Sequence, residues 1–511
     1  MRFNGAMKHW FSRSETALTS TEPTLLARLS HWRLQLGFVL GPLVFAGLLI
    51  AGPPDSMDMA SWRVLALTLL MAIWWVTEAL PIAVTALLPV ALIPLMNVAP
   101  IDQAAASYAN PLVFLFLGGF LLAEGIQRWN LHRRLALLVL SLSGTRPDRV
   151  VGGFMTATAL LSMWVSNTAT AALMLPIGLS VLTLVEESDQ DHNHQSLNVA
   201  LLLGIAMGAN IGGMATLIGT PPNALLAGYL RDSHNLDITF LSWMAVALPL
   251  ALTLLATAWW LITRKLYQPG HTPIDGLESL LDRERHSLGP MTLPQVMVAV
   301  VFLLVALAWL TRPLLDSLFQ SLQLTDAGIA ITGALLLFLI PSDWRRPSFL
   351  LSWEQARNLP WGVLILVGGG LALGSAIESS GLAAAAAELL SGMADWPLLL
   401  LMLAVAALIM TLSHVTSNTA TAATMLPLTA SFALAQDLSL IHLTVPVAMA
   451  ASCAFMLPVA TPPNAIIFSS ERISVGQMAH AGAWLSGITL LLIALWVWLV
   501  AAPVLAWVTG Y

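Results

Sequence analysis

Two stretches of this chain carry the same uncharged polar chemistry. Ser166-Asn167-Thr168-Ala169-Thr170-Ala171-Ala172-Leu173-Met174-Leu175-Pro176 recurs as Ser417-Asn418-Thr419-Ala420-Thr421-Ala422-Ala423-Thr424-Met425-Leu426-Pro427, with ten of eleven positions identical. Asn offers both an acceptor and a donor, while Ser and Thr offer a hydroxyl that does either. Both stretches lie between long apolar runs, where neutral polar groups are costly unless something uses them. At the start of a helix they face unpaired N–H groups and the positive end of the helix dipole, which favour an anion. Their oxygens, joined by carbonyls freed from a broken helix, suit a hard cation such as Na⁺. Ser162 lies four residues before Ser166, and the offset of 251 between the copies carries it to Ser413. A hydroxyl one turn back can therefore join Asn167 or Asn418 around an ion, with the tip serines Ser166 and Ser417 as further oxygen ligands. Neither motif holds Lys or Arg. A substrate with two negative charges then needs co-bound cations and helix amino ends, which predicts obligatory cation coupling. The alternative is that these residues only cap helices or hold neighbouring ones. Duplication over eleven residues, each copy followed by a Thr-Pro-Pro-Asn break, favours a binding site.

The elements that would position these motifs are membrane spans. The chain is 58% hydrophobic and 9% charged, where soluble domains carry roughly 25% charged residues. Apolar runs long enough to cross a bilayer recur along it, so an all-α polytopic membrane protein is expected. A single cysteine, Cys453, excludes an intrachain disulfide and a Cys-based metal cluster. No catalytic triad, metal-ligand cluster or nucleotide motif is evident, so neither enzymatic activity nor a nucleic-acid partner is expected. Gly368-Gly369-Gly370 lacks the Lys-Ser/Thr that completes a phosphate loop and reads as close helix packing. His414 adjoins Ser413, but its counterpart is Met163, so packing is expected of it too. Glu78, Glu124 and Glu378 fall at span ends, where carboxylates reach toward headgroups.

Residues 1–33 form a polar tail, with Arg2, Lys8 and Arg13, expected in the cytoplasm. The first half, 34–263, has spans at 34–51, 62–80, 82–98 and 111–126. A basic segment with Arg128, Arg133, Arg134, Arg146 and Arg149 follows, cytoplasmic by the positive-inside rule. Arms at 150–165 and 169–185 then meet at Ser166-Asn167-Thr168, the second ending in Glu186, Glu187, Asp189 and Asp191. A span over 197–231 is interrupted by Gly208, Gly212, Gly213, Gly219, Pro221 and Pro222, and 240–263 crosses back. Residues 264–293 form a cytoplasmic linker. The second half, 294–511, has spans at 294–313 and 324–341, Arg345-Arg346 inside, and a span at 360–378. Arms at 397–416 and 420–436, a broken span at 445–471 and a last span at 482–508 complete it. The arms read as re-entrant hairpins over 150–185 and 397–436, because their tips hold no charge or turn glycine suited to water. Two full crossings joined by three residues is the alternative. Eleven crossings plus two hairpins place the carboxyl terminus outside.

The offset of 251 also carries Gly118-Gly119 onto Gly369-Gly370, and Thr220-Pro221-Pro222-Asn223 maps onto Thr461-Pro462-Pro463-Asn464 at 241. Four crossings separate 111–126 from its partner 360–378, so the repeats are expected to run in opposite directions.

The paired Ser-Asn-Thr signatures, each followed by its Thr-Pro-Pro-Asn break, resemble those of the divalent anion–sodium symporter family, which includes the INDY-type dicarboxylate carriers. The resemblance covers the chain from about residue 34 onward. It implies a homodimer in the plasma or inner membrane, with a scaffold domain and an elevator-type transport domain built from both hairpins and both broken spans. It further implies sodium-driven import of C4-dicarboxylates such as succinate, malate or fumarate; sulfate or citrate symport and anion exchange are the rivals. Carried over by position, one sodium site comprises Ser162, Asn167 and the Gly219 carbonyl. The other comprises Ser413, Asn418 and the Ala460 carbonyl. Asn167, Thr168, Asn418 and Thr419 would hold the substrate carboxylates, with Thr220, Thr461 and Pro462 lining the same pocket.

Overall fold

The computed structural model describes residues 25–55, 57–187, 194–318, 323–343, 345, 348–389, 392 and 395–509. The basic tail with Arg2, Lys8 and Arg13, the acidic residues Asp189 and Asp191, and Arg346 lie outside the described residues. Among those described, ten helices are long and apolar enough to cross a membrane. The protein is thus an all-α polytopic membrane protein.

Burial sorts these helices into a centre and a rim. In its most apolar stretch, His194–Gly213 is 89% buried, against 28% for Leu293–Leu318 and 11% for Trp32–Ala51. The first is wrapped by other helices. The other two present rows of Leu and Val outward, an arrangement that is inexpensive only against lipid.

Both expected pairs of arms are helical. Pro147–Ser162 and Asn167–Glu187 form the first, Leu398–Val415 and Asn418–Ala435 the second. Pro147 begins its arm at a position whose N–H would have had no helical partner. At the second tip, Thr416 and Ser417 adopt extended conformations that interrupt the helix before Asn418.

The two broken spans follow from local sterics. The helix His194–Gly213 gives way to Pro221–His234, and Leu440–Ala451 gives way to Pro462–Phe468. Thr220 (φ −146°, ψ 141°) and Thr461 (φ −143°, ψ 150°) precede the proline pairs. A residue before proline is pushed out of the helical region, and neither proline can donate to the preceding turn. The repeats then exchange partners. Asn167–Glu187 packs on Pro462–Phe468, and Asn418–Ala435 packs on Pro221–His234.

Several elements differ from expectation. The third span, expected over 82–98, is instead two short helices, Ile82–Thr85 and Leu88–Leu95, followed by Ile101–Ala106. Pro81, Pro89, Pro94 and Pro100 punctuate this region, each removing a backbone donor. The basic segment after Arg128 contains a helix, Leu131–Ser143, which buries Leu137 and Leu140 and exposes Leu138 and Leu142. The polar linker contains another, Leu277–Ser287. The glycine triplet does serve close packing. A Cβ on Gly369 would collide with the Ala86 carbonyl, and one on Gly368 with Tyr108.

Candidate functional site

At the first tip, three oxygens share one proton. The Ser162 hydroxyl lies 2.5 Å from Asn167 Oδ1 and 2.7 Å from the Ala209 carbonyl. A hydroxyl can donate to only one acceptor at a time. Ser162 is fully buried at the end of the first arm, one turn before the tip. Ser166 caps the returning arm, its Oγ accepting from the Ala169 N–H at 3.3 Å. The Asn167 carboxamide is seated directly on Gly213, where a Cβ would overlap it, and Gly219 packs just as closely on the Gly213 carbonyl. Ser162 and Asn167 are thus bonded directly, and Gly213 lies between Asn167 and Gly219.

The second tip has the same residue types but different bonding. Ser413 is fully buried, and its Oγ has no hydrogen-bond partner among the described residues. Asn418 Oδ1 is likewise buried and unpartnered. Thr416 and Thr421 bond each other across the tip at 2.6 Å. Unsatisfied buried oxygens each cost about 1–3 kcal/mol, and a small cation is one species able to offset that cost.

Each Thr-Pro-Pro-Asn motif ends in an asparagine that ties down the unwound backbone. Asn223 Nδ2 donates to the carbonyls of Gly213 (3.4 Å), Met214 (3.2 Å) and Thr216 (2.8 Å). Asn464 Nδ2 donates to those of Ala454 (3.2 Å) and Leu457 (3.0 Å). At the offset of 241, Gly213 corresponds to Ala454 and Thr216 to Leu457, so the two asparagines hold equivalent carbonyls. The duplication seen in sequence is thus also a duplication of hydrogen bonding.

One residue joining the halves was missed in the sequence. Asn210 Nδ2 donates to Thr461 Oγ1 at 3.0 Å and lies 3.2 Å from Asn464 Oδ1. It is buried at the end of His194–Gly213 and links the first broken span directly to the second. The available signal was a lone amide in an apolar run, but position 451, its counterpart at 241, is Ala, so repeat matching passes over it. Thr216 was missed for the same reason. Its Oγ1 donates to the Met163 carbonyl at 2.6 Å and fixes the first tip to the break.

The remaining candidates divide by exposure. Thr419, Thr220, Thr461 and Ala460 are buried, Ser417 is half-buried, and Thr168 and Pro462 are exposed. The helices starting at Asn167, Pro221 and Asn418 all begin within the motifs. His414 packs in its own arm, Nδ1 lying 2.6 Å from the Met410 carbonyl.

Comparison with known proteins supplies the class and the family. Two solved structures share the fold. Neisseria gonorrhoeae MtrF, described with a class of antimetabolite efflux pumps, superposes with a TM-score of 0.52 at 13% identity, covering 90% of this chain and 96% of that one. The Alcanivorax borkumensis YdaH transporter gives 0.51 at 15% identity, covering 88% and 98%. Among sequence relatives, proteins named sodium-dependent dicarboxylate transporter SdcS from Staphylococcus saprophyticus and Staphylococcus aureus are 40% identical over 476 residues, 92% of this chain and 92% of theirs. The protein is a polytopic membrane transporter and not an enzyme. The family described as the sodium:sulfate symporter transmembrane region matches residues 31–507. The chain belongs to that family.

Proposed function

We propose that this transporter is a sodium-coupled symporter of C4-dicarboxylates. The observation that carries the reading is 40% identity, over 92% of both chains, to relatives named sodium-dependent dicarboxylate transporters. The chemistry of the tips supports it. Ser162, Asn167 and the Gly219 carbonyl would hold one sodium ion; Ser413, Asn418 and the Ala460 carbonyl would hold another, with Ser166 and Ser417 at the tips. Asn167, Thr168, Asn418 and Thr419 would take the substrate carboxylates, beside Thr220, Thr461 and Pro462. With no basic residue in either motif, the ions supply the positive charge that makes a dianion welcome. The halves 34–263 and 294–511, joined by the linker 264–293, act as inverted repeats, and both hairpins and both broken spans move as one elevator-like body against a scaffold. The working unit is a homodimer in the plasma membrane, its amino terminus cytoplasmic and its carboxyl terminus external.

The test is succinate uptake into proteoliposomes under an imposed sodium gradient, with sulfate, citrate and malate as competitors. Uptake is expected to need sodium and to be suppressed by malate. Unchanged uptake with choline replacing sodium would remove the coupling, and preferential suppression by sulfate or citrate would reassign the substrate. A narrower prediction concerns Gly213. Gly213→Ala places a methyl group onto the Asn167 carboxamide and is expected to lower sodium-driven uptake about tenfold, the effect of roughly 1.4 kcal/mol. Gly476→Ala, where a Cβ meets only Ser474 Oγ at 3.9 Å, serves as the control and should transport normally.

A further inference from the structure

One side chain outside both motifs joins the first helices to a hairpin tip. Arg33, in Leu25–Ala51, places Nη2 2.8 Å from Glu78 Oε2 and Nη1 3.3 Å from the carbonyl oxygen of Val415. Val415 ends the arm Leu398–Val415, three residues before Asn418. A cation at the carboxyl end of a helix meets free carbonyls and the negative end of the dipole, so the contact is favourable there. Its geometry is set by tight packing. Leu25–Ala51 lies so close to Met59–Thr77 that a Cβ on Gly37 would overlap Thr77, and one on Gly41 would crowd Trp74. Glu78 ends the second of these helices in a left-handed conformation (φ 52°), its N–H bonded to the Trp74 carbonyl. Its carboxylate pairs with Arg33.

The first tip is secured differently. Trp164, which corresponds to Val415 at the offset of 251, stacks on Phe240 at 5.9 Å and meets Phe302 edge-on at 5.0 Å. Phe240 stacks in turn on Trp309 at 4.4 Å, and both of these are fully buried. Aromatic packing of this kind opens only by exposing a large apolar area. At the second tip the corresponding residue, Val415, is met by Arg33, whose ion pair with Glu78 leaves the two side chains 37% and 47% exposed. Exposed ion pairs contribute little and exchange readily with water. At these equivalent positions the first tip thus has a buried aromatic contact and the second an exposed polar one.

We propose that Arg33, oriented by Glu78, is a positioning residue that holds the tip of the second hairpin against the first two helices, and that release of this contact is a step in transport. The step rests on the transport reading above; the contact does not.

The test uses the full chain in liposomes. Its one cysteine, Cys453, is fully buried, so labelling by a membrane-impermeant maleimide reports on Val415→Cys alone. Adding Arg33→Gln is expected to raise the labelling rate about threefold or more, as a shift toward the released tip requires. Glu78→Gln should act in the same direction, and Arg33→Lys, which keeps the charge, should restore much of the slow rate and so separate loss of the contact from misfolding. Sodium-driven succinate uptake by Arg33→Gln should change in maximal rate and keep its KM. Equal labelling with and without Arg33→Gln overturns the proposal, as does a KM shift at unchanged maximal rate. Should the parent protein fail to take up succinate, the transport reading falls, while the labelling comparison still decides the contact.

Discussion

Asn167→Ala and Asn418→Ala are each expected to reduce sodium-driven succinate uptake at least a hundredfold, since removing one partner of a buried charge costs about 3–5 kcal/mol. The serines one turn back should separate the two sites. Ser413 Oγ and Asn418 Oδ1 are buried without partners among the described residues, so they add no hydrogen bond to the ion-free protein. Ser413→Ala should therefore raise the half-saturating sodium concentration about tenfold, roughly 1.4 kcal/mol, while leaving the thermal midpoint in sodium-free medium unchanged or higher. Ser162 donates within a cluster formed with Asn167 and Ala209. Ser162→Ala should lower that midpoint as well as weaken sodium binding. Ser413→Thr retains the hydroxyl and should transport. Normal uptake by either asparagine variant would show that its assigned site is wrong. Equal midpoints for the two serine variants would remove the asymmetry argued here.

Asn210→Leu is expected to cost uptake at least tenfold and stability by about 1–3 kcal/mol, because it leaves the buried Asn464 Oδ1 without its donor. Asn210 donates to Thr461 and lies against Asn464, whose own amide holds the Ala454 and Leu457 carbonyls. Loss of its amide should therefore disturb the second break from within the first. The informative measurement is the pair of KM values. Sodium and succinate should both shift if the bridge holds the two halves in one site, and a variant altered only in thermal midpoint would reduce Asn210 to a packing role. Asn223→Ala lacks this reach, since its bonds stay within its own break.

Much of this architecture is legible in the chain because it is decided locally. Apolar runs require a bilayer, and a Thr before two prolines leaves the helical region whatever surrounds it. The breaks at Thr220 and Thr461 therefore fall where expected. Hydropathy over 82–98 does not show the break at 86–87, where Pro89 opens the second of two short helices. The arginines of Leu131–Ser143 speak to orientation alone, and its helical character lies in the apolar face formed by Leu137 and Leu140.

By itself, then, the sequence determined a duplicated, charge-poor membrane protein with two polar tips and two broken spans, since those properties depend on neighbours within a turn or two. Tertiary structure alone decided that Ser162 is bonded where Ser413 is not, that Asn210 bridges the breaks, and that Arg33 reaches Val415. The last two outcomes turn on partners 251 and 382 residues apart in the chain, and the first on Ala209, brought in from the helix His194–Gly213. A hydrogen bond requires its two atoms within about 3 Å, and no pattern read along one segment specifies which distant atom arrives there.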